Sequence, residues 1–114
     1  QRFTSHLTGP FSEIKTVVLI DGSSASESEI LAGSLKIWGA KVVGVKSYGK
    51  GSIQTVIPLS DGGEFSLTTG LYYLADGKTP EDGGIEPHFV IEDDPRTPDV
   101  DEALDVATGI LIDP

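Results

Sequence analysis

Two short β-branched runs constrain the fold most: residues 16–21, TVVLID, and residues 41–45, KVVGV, with a single helical pattern between them. Each run is almost unbroken in apolar residues, as expected of a strand covered on both faces. Between them Ile30, Leu31, Leu35 and Trp38 fall on one side of a 3.6-residue repeat, and Gly39 stands where such a helix would end. Strand, helix and strand within 45 residues predict a right-handed βαβ unit with parallel strands. The first strand-to-helix turn then lies at the carboxyl edge of the sheet, where open α/β sheets bind their ligands.

The rest of the chain is patterned for pairing of a different kind. Residues 52–59, SIQTVIPL, and 64–74, EFSLTTGLYYL, read as two strands of a hairpin joined by Ser60, Asp61, Gly62 and Gly63. A further short strand is expected around residues 88–91, and Val100, Leu104 and Ala107 carry helical spacing near the end. No internal repeat or interdomain linker interrupts the 114 residues, a length suited to one domain. The expected class is therefore α/β, a βαβ core plus a β-hairpin.

Charge narrows the partners. Eighteen acidic residues against eight basic ones give a formal charge of -10, which opposes binding to nucleic acid or to anionic membrane surfaces. There is no cysteine, so disulfides and thiolate metal sites are excluded. No segment approaches the roughly 20 apolar residues of a membrane span. Residues 1–15 lack the apolar centre of a signal peptide, so any targeting segment is expected outside this chain.

Residues 21–30, DGSSASESEI, carry four serines, of which Ser23, Ser24 and Ser26 lie in the turn that the fold directs to the sheet edge. Ser26 and Glu29 fit the S-x-x-E capping box, which by itself explains their spacing. A serine hydroxyl becomes a useful nucleophile only beside a base. Neither histidine is well situated to be that base, since His6 lies in an unpatterned stretch and His88 opens a strand. Lys50, in SYGKGSIQ, is the better base. Extended backbone from residue 50 to residue 54 would put Lys50, Ser52 and Gln54 on one face, with the Gln54 amide able to orient the amine. Gly49 and Gly51 permit close backbone approach. A lysine serves as a base only when neutral, which calls for burial to draw its pKa down from about 10.4. The competing reading is an exposed turn lysine between two glycines.

VVLIDGSSASESEILAGSL, VVGVKSYGKGSIQTVIPL and FSLTTGLYYLADGK followed by GGIEP, in that order, resemble the C-terminal processing, or tail-specific, protease family over residues 16–91. The resemblance implies a Clp-protease/crotonase-like domain that cleaves proteins near their C-termini, without a metal or organic cofactor. It implies Ser26 as nucleophile within Ser24-Ala25-Ser26-Glu27-Ser28-Glu29, Lys50 as general base, Gln54 as its companion, and the Glu27 N–H as half of the oxyanion hole. Its usual setting is the periplasm or cell envelope. Three departures stand out: Glu27 replaces the family's usual alanine, the interval from Ser26 to Lys50 is one residue shorter, and the Asp-Leu-Arg-x-Asn-x-Gly-Gly segment with the second oxyanion donor is not present. Residues 1–114 are therefore expected to be the C-terminal part of a catalytic domain, without the PDZ domain. Such a piece is expected to be weakly active or inactive alone and prone to self-association through uncovered apolar faces. The rival expectation is a noncatalytic peptide- or protein-binding domain of the same fold.

Overall fold

The computed structural model describes residue 4 and residues 9–112; His6 lies outside them. Strands β1 (Val17–Ile20) and β2 (Lys41–Gly44) run parallel, with Val18 opposite Val42 and Ile20 opposite Gly44. Helix α1 (Glu27–Ile37) connects them, which is the βαβ unit that the two apolar runs predict. The hairpin strands β3 (Ser52–Pro58) and β4 (Glu64–Leu71) follow, then β5 (Phe89–Val90), parallel to β2, and helix α2 (Glu102–Ile112). The sheet order is β1-β2-β5. His88 extends the last pairing: its N–H donates to the Val42 carbonyl at 2.7 Å, and its Nδ1 accepts the Val42 N–H at 3.0 Å.

Alternation along the strands divides the interior. Val18, Ile20 and Val42 face α1, where they meet Ala32, Ile85 and Leu74. Leu19 and Val43 point the other way, towards the side on which α2 crosses β1 and β2. Val42 and Val43 are both completely buried, so β2 is the two-faced central strand. β1 departs from that expectation: it lies at the sheet edge, and Leu19 keeps 43% of its surface exposed.

α1 also turns a different face inward from the one its large residues suggest. Leu31 and Trp38 are 62% and 77% exposed, whereas Glu29, Ala32 and Gly33 are buried. The reason is steric. A Cβ on Gly33 would stand 2.5 Å from Leu74 Cδ1 and 3.1 Å from Ile85 Cδ1, so only the small-residue face admits these two side chains.

The hairpin forms as expected, closed by the Leu59 N–H to Gly63 carbonyl bond at 2.8 Å, but it packs on little else. Val56 and Phe65 are 54% and 51% exposed, and nearly every other residue of both strands is exposed as well. The radius of gyration is 17.3 Å, against about 13 Å for a compact domain of this length. What positions the site is the short segment between β2 and β3, which folds back against the start of α1.

Candidate active site

The site begins at Asp21, the residue after β1. Its Oδ1 accepts from the Ser23 and Ser24 N–H groups at 3.0 and 2.8 Å, and from their hydroxyls at 2.8 and 2.9 Å. The two hydroxyls, with the backbone amides behind them, hold the Asp21 carboxyl below the usual carboxylate range. This cluster closes the turn tightly enough to bring the chain into α1 within a few residues.

Ser26, the N-cap of α1, has φ 58° and ψ -118°, the only positive φ on a non-glycine residue among the described residues. For a residue with a Cβ this conformation costs on the order of 1–3 kcal/mol and persists where its surroundings enforce it. The capping-box relation of Ser26 and Glu29 is present. The Glu29 N–H is taken by the Ser26 carbonyl at 2.9 Å. What Glu29 contributes in return is its Oε2, which accepts the Ser26 N–H at 2.9 Å. The cap thus restrains the Ser26 backbone, and the Ser26 hydroxyl lies against the Glu27 carboxylate.

Glu29 does far more than cap. Its side chain is fully buried, a position an unpaired carboxylate could not hold. Oε1 accepts from Ser47 Oγ at 2.5 Å and the Gly49 N–H at 2.7 Å, while Oε2 also accepts the Lys50 N–H at 2.8 Å. Burial pushes the Glu29 pKa up, but the Ser47 hydroxyl and the three backbone N–H groups outweigh it and leave the carboxyl below its ordinary range. One oxygen therefore joins the backbone of Ser26 to that of Lys50, a residue 21 positions beyond Glu29 in sequence. Ser47 anchors the arrangement to the core by accepting the Ile85 N–H at 2.6 Å.

A second link runs from the opposite side. Tyr72 follows β4, and its N–H donates to the Gly51 carbonyl at 3.0 Å. Its hydroxyl lies 2.9 Å from the Ser26 carbonyl oxygen and 2.7 Å from that of Lys50. Gly49 and Gly51 are required by what lies against them. Gly49 has φ 93°, and a Cβ on Gly51 would collide with Thr79 Oγ1 and stand 2.8 Å from the Glu81 backbone nitrogen. The Gly51 N–H donates to Glu81 Oε2 at 2.8 Å. The glycines thus seat the lysine turn on the 3-10 turn Pro80–Asp82.

The structure brings the Ser26 and Lys50 turns together, while the Lys50 side chain is exposed rather than enclosed in a dry site. The described residues contain no element that covers it. β3 begins only at Ser52, so Lys50 lies outside the strand that carries Gln54, and a register irregularity leaves Thr69 as an extra residue on β4 opposite Ile53 and Gln54. Gln54 Nε2 donates to Thr68 Oγ1 at 2.7 Å and its Oε1 accepts from Ser66 Oγ at 3.1 Å, so its amide is engaged across the hairpin. Glu27 is exposed at the first position of α1. Its own backbone N–H, then the Ser26 hydroxyl and the charge of Lys50 hold its carboxyl below the ordinary range. His88, the other residue considered as a base, is spent on pairing with β2.

These features define an α/β domain with a strained serine in a strand-to-helix turn at the carboxyl edge of a parallel sheet. The model of peptidase family S41 matches residues 2–91, and the chain belongs to that family. A carboxy-terminal-processing protease of Bartonella bacilliformis is 42% identical over 109 residues, covering 95% of this chain and 25% of that protein. The carboxy-terminal processing protease CtpB of Bacillus subtilis is 43% identical over 76 residues, 66% of this chain and 16% of that protein. The solved structure of a photosystem II D1 C-terminal processing protease superposes with a TM-score of 0.65 at 36% identity, over 70% of this chain and 21% of that one. The chain thus spans a quarter or less of the length of these relatives.

Proposed function

We propose that residues 1–114 form the C-terminal part of the catalytic domain of a serine endopeptidase, with Ser26 as nucleophile and Lys50 as general base. The observation that carries this reading is the strained Ser26 backbone, bonded through Glu29 Oε2 to the Lys50 turn. Neutral Lys50 takes the proton of Ser26 Oγ as that oxygen attacks the peptide carbonyl. The lysine then returns the proton to the leaving amine, and water releases the acyl group by the same route. The start of α1 favours the negative charge that develops on the carbonyl oxygen, with the Glu27 N–H as donor. Gln54 orients Lys50 on exchanging its hairpin partners Thr68 and Ser66 for the lysine amine, and the remaining segments of the full-length protein cover the lysine and make it dry. The relatives' names support protein substrates cut near their C-termini. A periplasmic or cell-envelope setting agrees with bacterial relatives of this kind.

In the full-length protein, Ser26→Ala and Lys50→Ala each abolish cleavage of an unfolded protein substrate while the melting temperature stays within a few degrees. Cleavage retained by either variant contradicts the dyad. A second reading, a noncatalytic peptide-binding domain, is favoured by the exposed Lys50 and by the Glu27 carboxyl, which engages the same N–H that the oxyanion requires. That reading predicts peptide binding that Ser26→Ala leaves intact, with no turnover by the wild type.

A further inference from the structure

We infer that Tyr72 is a positioning residue for the reaction, its one hydroxyl fixing the separation of the nucleophile and base turns by bridging their carbonyl oxygens. The inference rests on the Ser26/Lys50 reading above. Glu29 gathers the backbone N–H groups of Ser26 and Lys50, and Tyr72 gathers the carbonyl groups of the same two residues. Each of these residues is therefore held on both sides of its own Cα. The Cα–Cβ directions of nucleophile and base are set by this frame rather than by the exposed Lys50 side chain.

A phenol suits this role. It carries a single proton, so the two carbonyls at 2.9 and 2.7 Å share one donor, and neither can withdraw without strengthening the hold of the other. Burial, followed by the charges of Glu29, Glu27 and Glu81, pushes the Tyr72 pKa up to about 12, which keeps the donor protonated at any pH at which a lysine base works. The ring reaches this place because Tyr72 continues the β4 pairing onto Gly51, one residue after the lysine. No hydrogen bond links Tyr72 to the Ser26 hydroxyl or the Lys50 amine among the described residues, so its influence passes through the backbone.

The test is Tyr72→Phe in the full-length protein, with Ser26→Ala and wild type as references. Turnover of a peptide substrate is expressed per folded molecule. The expected result is a roughly 10- to 100-fold fall in kcat, the size of effect that a small misalignment produces. KM should change little, the pH at which kcat/KM reaches half its maximum should move, and the melting temperature should remain close to that of wild type. A Tyr72→Phe enzyme with wild-type kcat and an unmoved pH profile overturns the inference, as does a loss of activity accounted for entirely by unfolded protein. If Ser26→Ala also cleaves at the wild-type rate, the dyad itself is wrong. If Ser26→Ala is dead and Tyr72→Phe fully active, only the role of Tyr72 is lost.

Discussion

At the scale of single residues, the arrangement turns on a carboxylate that accepts four hydrogen bonds in a site closed to solvent. Glu29→Gln keeps the shape but turns an amide NH2 towards groups that are themselves donors. The expected cost is about 1–3 kcal/mol, the penalty of a buried donor left unsatisfied. The pH dependence has a definite sign. Because the fold lowers the Glu29 pKa from 4.5, the carboxylate contributes stability above that value and loses it as pH falls through the folded value. Urea unfolding of wild type should therefore weaken on acidification, and Glu29→Gln should show a shallower acid limb as well as a lower plateau near neutrality. Identical acid limbs would contradict the role given to this residue.

At the scale of elements, the seating of the lysine turn on the 3-10 turn depends on the absence of a side chain at residue 51. Gly51→Ala drives a methyl group into Thr79 Oγ1 and the Glu81 backbone. Only the former could move aside cheaply. Overpacking of this kind costs about 1–3 kcal/mol, and the displaced turn should carry Lys50 with it. Thermal unfolding together with peptide turnover checks both effects, and a variant with wild-type values in each would remove the steric argument. The βαβ unit and the hairpin were legible because periodicity and turn chemistry are local. The buried face of α1 was not, because Leu31 and Trp38 carry the larger apolar areas while Gly33 and Ala32 fit under Leu74 and Ile85. Nor was the engagement of Gln54, since its partners Thr68 and Ser66 stand on the facing hairpin strand. Ser26, Lys50 and the S-x-x-E cap could be read from spacing and resemblance. Tyr72 could not, because its partners are backbone oxygens distant in sequence.

At the scale of the molecule, the chain is a sheet-and-helix core with an almost naked hairpin projecting from it. A two-stranded hairpin in water is marginally stable alone, and this one exposes Ile53, Val56, Ile57, Phe65, Leu67 and Leu71. The relatives, of which this chain covers a quarter or less, have additional chain with which to cover such surfaces. The 114-residue chain by itself should consequently associate through this hairpin, giving a sedimentation coefficient that rises with concentration. A monomer with a concentration-independent coefficient would contradict that expectation. The central claim, however, concerns chemistry at Ser26, and covalent trapping addresses it most directly. Treatment of the full-length protein with a serine-directed phosphonate, followed by peptide mass spectrometry, should locate one adduct at Ser26 that Lys50→Ala suppresses. A protein that binds peptide without acquiring the adduct, or that labels equally well without the lysine, would contradict the account.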